Sequence, residues 1–135
     1  MLVPSIRVTQ PRLLQETVQT LRKFGLSISS LPASSTLTIS PFPASKSSYI
    51  HRKVGQSHPP VPPLLVPNST SPARNLSLLR KLGSSAPGPF FAAGKAGQIN
   101  AALFAAACLA TRSPKIRRTL QLFRARQTNS VPQTP

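Results

Sequence analysis

Acidic residues are almost absent: the 135-residue chain holds 17 Lys+Arg against one acid, Glu16, for a formal net charge of +16. With one carboxylate and no Asp, chemistry that needs paired acids is excluded. That removes two-acid glycoside hydrolysis, carboxylate calcium loops, kinase-type magnesium sites and aspartic dyads, and a Ser-His-Asp triad with them. Cysteine occurs once, as Cys108, so no internal disulfide forms, and with two histidines, His51 and His58, the chain lacks a four-ligand zinc set of the usual spacing. Cys108 lies in an alanine-rich run and reads as a small buried hydrophobe, because no histidine or acid stands near to activate it. Trp is missing and Tyr occurs once, which leaves few large anchors for a core. The chain therefore reads as non-enzymatic, with no catalytic residue, metal site, cofactor or small-molecule substrate.

Proline, by contrast, is abundant, at 16 residues, more than twice the usual level of about 5%. Each proline removes a backbone donor and fixes one dihedral, so helices and central strands should be interrupted often. Mean hydropathy is near neutral at -0.06, unlike the low value of uniformly disordered chains. The expected fold class is a mostly disordered chain with a few short amphipathic helices at about 11–24, 72–82, 100–111 and 115–126, and no stable sheet.

Four segments follow from the same pass: a basic amphipathic start (1–31), a Ser/Pro-rich linker (32–70), short helices with an Ala-rich apolar run (71–111), and a basic segment with its tail (112–135). In the first, Pro11 suits a helix start and Gly25 a left-handed stop. Leu13, Leu14, Thr17, Val18, Leu21 and Phe24 share one arc at helical spacing, opposite Arg12, Gln15, Glu16, Gln19, Arg22 and Lys23. In the linker, Leu37-Thr38-Ile39 alternates like a strand but is too short and too close to Pro41 to form a sheet unaided. A stiffer polyproline stretch is expected near 59–67.

Ser71 caps, Pro72 opens and Gly83 closes the second helix. Its Leu79-Arg80-Lys81-Leu82-Gly83 repeats Leu21-Arg22-Lys23-Phe24-Gly25, although basic residues followed by Gly are an ordinary helix ending. From Ala101 to Ala110, capped by Asn100, the apolar run of ten residues would span about 15 Å, half of a hydrocarbon core. It reads as a helix that packs on a protein partner or on the first helix. In the last segment Ile116, Leu120 and Phe123 share a face, while Lys115, Arg117, Arg118, Arg124 and Arg126 take the rest with Leu122 as the exception.

Several motifs reduce to ordinary readings. Gly88 to Ala96 departs from a phosphate loop by one residue in spacing, puts Ala96 where a hydroxyl must stand, and shows no preceding strand. The Pro59 to Pro63 P-x-x-P spacing lacks a flanking arginine and reads as spacer. Asn68-Ser69-Thr70 and Asn75-Leu76-Ser77 match the glycosylation pattern without a signal peptide. Ser71-Pro72-Ala73-Arg74 resembles a proline-directed kinase site.

Two signals carry functional expectations. The first 31 residues are amphipathic, Arg-bearing and nearly free of acid, and Arg22, Phe24 and Ser27 resemble the Arg-x-Phe-x-x-Ser pattern of mitochondrial presequences, implying a cut near Leu31. The second is the cluster Arg112, Lys115, Arg117, Arg118, Arg124 and Arg126, an anion-binding set suited to anionic lipid or nucleic acid. The leading expectation is a small basic accessory protein binding anionic surfaces, located in mitochondria. The alternatives are a nuclear or nucleolar RNA-associated protein, and a lineage-restricted or overlapping-frame product with little selected function.

Overall fold

The structure, a computed structural model, describes residues 5–29, 37–42, 63–85 and 88–134. Within them the chain runs β1 (Ser5–Val8), α1 (Gln15–Lys23), β2 (Ser27–Ser29), β3 (Leu37–Phe42), β4 (Leu64–Pro67), α2 (Pro72–Ser85), α3 (Gly94–Ala110) and α4 (Pro114–Asn129). The strands form one four-stranded sheet in the order β2-β1-β3-β4, and every pairing is parallel. This corrects the expectation of a mostly disordered chain without a stable sheet. The described residues form an α/β layer structure in which 55% are helical and 18% lie in strands.

Two of the strands lie in the segment expected to be linker, and prolines concealed them. Pro41 stands inside β3, which has neighbours on both sides. Backbone direction explains why it is tolerated. Ile39 turns its carbonyl toward β1, where it accepts from the Thr9 N–H at 3.0 Å. Two residues on, Pro41 faces the same side, but β1 has already ended at Val8, so the missing N–H costs no bond to β1. Pro67 follows the same logic. Its side of β4 is the one on which Leu65 bonds to Pro89 and Phe91, a single isolated bridge at Leu65 and Phe90. That bridge lies at Phe90, inside the Gly88 to Ala96 stretch rather than before it, so all three objections to a phosphate loop stand among the described residues.

The core follows from alternation. Ile6 and Val8 of β1, Ile39 of β3, and Leu64 and Val66 of β4 join Leu14, Leu21, Phe24 and Leu26 around α1, the alanines of α3, and Ile116 and Leu120 of α4 in one buried cluster. The intervening positions Ser5, Arg7, Thr38 and Ser40 lie on the other face of the sheet; there Thr9 Oγ1 donates to buried Ser40 Oγ at 2.8 Å. Leu65 and Leu82 are buried outside the cluster, consistent with right-handed crossovers that send α1 and α2 to opposite faces.

Helix boundaries differ from expectation for local reasons. The first helix begins at Gln15, because residues 11–13 form a turn. The second does not close at Gly83 but runs to Ser85. The third starts at Gly94 rather than at an Asn100 cap, since Gly97 lets the helix press on the Ala92 carbonyl; a Cβ there would lie 1.5 Å from that oxygen. Ala101, Ala102, Ala105 and Ala106 are fully buried, and α3 packs on α1, the in-chain option of the two expected. Small side chains let the two backbones approach closely. Cys108, expected to be buried, is exposed. The polyproline positions 59–62 and the histidines at 51 and 58 lie outside the described residues.

Candidate functional site

Two cation-bearing surfaces emerge. The first is built on α4, whose start is set by Ser113: its Oγ accepts from the Ile116 N–H at 3.4 Å, with Pro114 at the first helical position. Ile116 and Leu120 are buried and Phe123 is half-buried. Phe123 meets Phe24 edge to face, with ring centroids 5.5 Å apart. At 100° per residue, Lys115, Arg118, Leu122 and Arg126 then form a stripe centred about 120° around the helix from that buried face, and all four are exposed. From Lys115 to Arg126, eleven rises of 1.5 Å, the stripe covers about 16 Å.

One cation of the expected set serves the fold instead. Arg117 reaches back to the end of α3, where Nε donates to the Ala110 carbonyl at 3.1 Å and Nη2 to the Thr111 carbonyl at 3.2 Å. Those carbonyls are orphans of the helix end and carry its negative dipole, so a guanidinium is the favoured partner. Arg112, Lys115, Arg118, Arg124 and Arg126 are exposed and have no side-chain hydrogen bond or ion pair among the described residues. No acid lies on α4 to offset them.

Arg22, Phe24 and Ser27 are dispersed by the fold. Arg22 is exposed near the end of α1, Phe24 is buried to 5% exposure, and Ser27 opens the edge strand β2. Phe24 meets α4 through Phe123, which belongs to the buried side of that helix. A cut near Leu31 would remove β1, α1 and β2, and β1 is a central strand paired on both sides.

The second surface is a cleft of about 620 Å³ lined by Arg12, Leu13, Gln15, Glu16, Asn68, Ser69, Thr70, Arg74 and Gln98. It draws on the loop after β1, the loop after β4, the first turns of α1 and α2 and the second turn of α3, at the carboxyl edge of the sheet. Strand order reverses between β1 and β3, and the cleft lies beside that point, between the loops after β1 and β4. Glu16 lies 3.6 Å from Lys95. Asn68 Nδ2 donates to the Leu13 carbonyl at 3.2 Å, and Asn75 Nδ2 to the Ser69 carbonyl at 3.0 Å, so both asparagines of the glycosylation patterns hold the cleft loops. The sequence reading missed this surface. Its residues are far apart in the chain, and nothing local marks them as neighbours.

No helix among the described residues is long and apolar enough to cross a membrane. No family model and no curated protein matches the chain.

Proposed function

We propose that the protein is a non-enzymatic basic accessory protein that docks on anionic lipid surfaces through the outer face of α4. The observation that carries this reading is the stripe Lys115, Arg118, Leu122 and Arg126, with a leucine 53% exposed among three cations. A purely electrostatic polyanion contact gains nothing from that leucine, whereas an interfacial helix places an apolar side chain below the headgroups and its cations among them. The cations repel one another along the helix. An anionic surface relieves that repulsion and adds about 1 kcal/mol for each Lys or Arg.

The test is co-sedimentation of the full chain with vesicles of phosphatidylserine and phosphatidylcholine, compared with phosphatidylcholine alone. Replacing Arg118 and Arg126 together by Gln should lower partitioning onto the anionic vesicles by about thirtyfold, two contacts at about 1 kcal/mol each. Leu122→Ser should lower it by about tenfold while leaving RNA binding unchanged. Equal binding to neutral vesicles, or indifference to Leu122→Ser, would sink the lipid reading; tight RNA binding with that indifference would put the nucleic-acid reading in its place. Mitochondrial import is proposed only in a form that keeps the first 31 residues attached, because β1, α1 and β2 belong to the fold. A C-terminal tag on the full chain reads both location and length: a mitochondrial product shorter by about 3 kDa, taking roughly 110 Da per residue over an extended 31-residue address, would overturn that form.

A further inference from the structure

We propose that the cleft at the carboxyl edge of the sheet binds the phosphate group of a small phosphorylated molecule, held by Arg12, Arg74, Gln98 and Ser69. This ligand class is one the sequence did not suggest, and the inference is independent of the α4 reading. It rests on which ends of the polar side chains the fold leaves unused. Gln98 is oriented by its own carbonyl: Oε1 accepts from the Glu16 N–H at 3.1 Å. The Thr17 hydroxyl donates to the Gln98 backbone carbonyl at 2.9 Å and fixes the residue further. The free end of Gln98 is therefore its NH₂ group, a double donor.

Ser69 is arranged in the same sense. Its Oγ accepts from the Ser71 N–H at 3.2 Å, so its proton remains to be given. Neither guanidinium, of Arg12 or of Arg74, has a side-chain hydrogen bond or ion pair among the described residues. Each brings five N–H donors and no acceptor. The lining thus offers an excess of donors at the carboxyl edge of the sheet, and this is the complement of phosphate oxygens, which only accept.

Charge agrees with the donor count. Around the cleft stand Arg12, Arg74 and Lys95 against Glu16, three cations to one acid, and that acid is already within reach of Lys95. Leu13, 49% exposed on the cleft wall, offers an apolar surface for the organic part of the ligand. With about 620 Å³, the cleft falls in the range of small-molecule sites, roughly 300–1,000 Å³.

A chain of such net charge attracts any anion, so the experiment must separate a site from bulk attraction. Inorganic pyrophosphate is titrated calorimetrically into the full chain at physiological salt, and into two double variants that lose the same charge: Arg12→Gln with Arg74→Gln, and Arg118→Gln with Arg126→Gln. The cleft variant should bind at least about tenfold more weakly, and the α4 variant should change by less than about twofold. Gln98→Glu is the third arm. It keeps an acceptor for the Glu16 N–H but turns the free donor into a second acceptor, so it should weaken binding by a further tenfold or so while circular dichroism stays native. Equal loss in both double variants, or full pyrophosphate affinity in Gln98→Glu, would overturn the proposal. Because the α4 variant is scored on vesicles as well, failure of one reading leaves the other legible.

Discussion

Helices α1 and α2 end on nearly the same text, Leu21-Arg22-Lys23-Phe24-Gly25 and Leu79-Arg80-Lys81-Leu82-Gly83, yet the fold treats them differently. Gly25 takes the left-handed conformation at φ +67. The Leu26 N–H then closes on the Leu21 carbonyl at 3.1 Å, and the Gly25 N–H on that of Arg22 at 2.9 Å, the paired bonds of a Schellman stop. Gly83 makes no such turn, and α2 continues through it to Ser85. The residue after each glycine explains the difference. Leu26 is buried at 5% exposure and belongs to the same core cluster as Leu21, supplying the apolar contact that accompanies this stop. Ser84 is exposed, and its hydroxyl donates to the Lys81 carbonyl at 2.9 Å, so nothing draws the chain out of the helix. A basic turn followed by glycine offers an ending; the core decides whether it is used.

The same contrast sets the largest expected effect. Leu21 is fully buried between α1 and the core, whereas Leu79 is half-buried on a helix that buries only Leu82 deeply and leaves Leu76 52% exposed. Leu21→Ala should cost about 3 kcal/mol of unfolding free energy, the lower-middle range for a core leucine. Leu79→Ala should cost less than about 1 kcal/mol, since little cavity is created. Urea denaturation of both variants measures the difference; equal losses would mean that α2 is held as firmly as α1 and would break the comparison.

How much of this was legible in the sequence divides along the same line. Helical arcs in α1 and α4 were readable because their apolar faces repeat within a few residues and each meets one core. The sheet was not. Its strands are three to six residues long, two carry proline, and their ladders join segments with no local signal. Leu37-Thr38-Ile39 did show its alternation, but a strand is stabilised by its neighbours, and the text gives no register for Ile6 against Leu37 or for Ile39 against Leu64. The basic face was visible as a charge cluster, whereas the diversion of Arg117 to the end of α3 requires knowing that Pro114 turns the chain back beside it. The cleft was invisible for a stronger reason: Arg12, Ser69, Arg74 and Gln98 meet only after the loops following β1 and β4 have been placed side by side.

The two glycines give the next contrast, because the same substitution should act with opposite sign. Gly25→Ala forces a Cβ into a left-handed residue, which costs about 1–2 kcal/mol for an L side chain, so the variant should unfold at lower urea. No atom lies within 4 Å of the Cβ it would add, and the whole effect is backbone strain. Loss of less than about 0.3 kcal/mol, inside the scatter of ordinary surface changes, would show that the stop at Gly25 is held by Leu26 alone.

Gly83→Ala is the smallest effect and the sharpest test of sign. Gly83 lies inside α2 without a positive φ, and a Cβ there meets open space within 4 Å. A helix interior favours Ala over Gly by up to about 1 kcal/mol, partly by restricting the unfolded chain. Because the helix ends two residues later, about 0.5 kcal/mol of added stability is expected in the same denaturation series. A loss of stability would mean that Gly83 acts as a stop after all, so that the repeated text encodes the same ending twice. A gain, set against the loss at Gly25, places the stop in the buried leucine that follows one glycine and the exposed serine that follows the other.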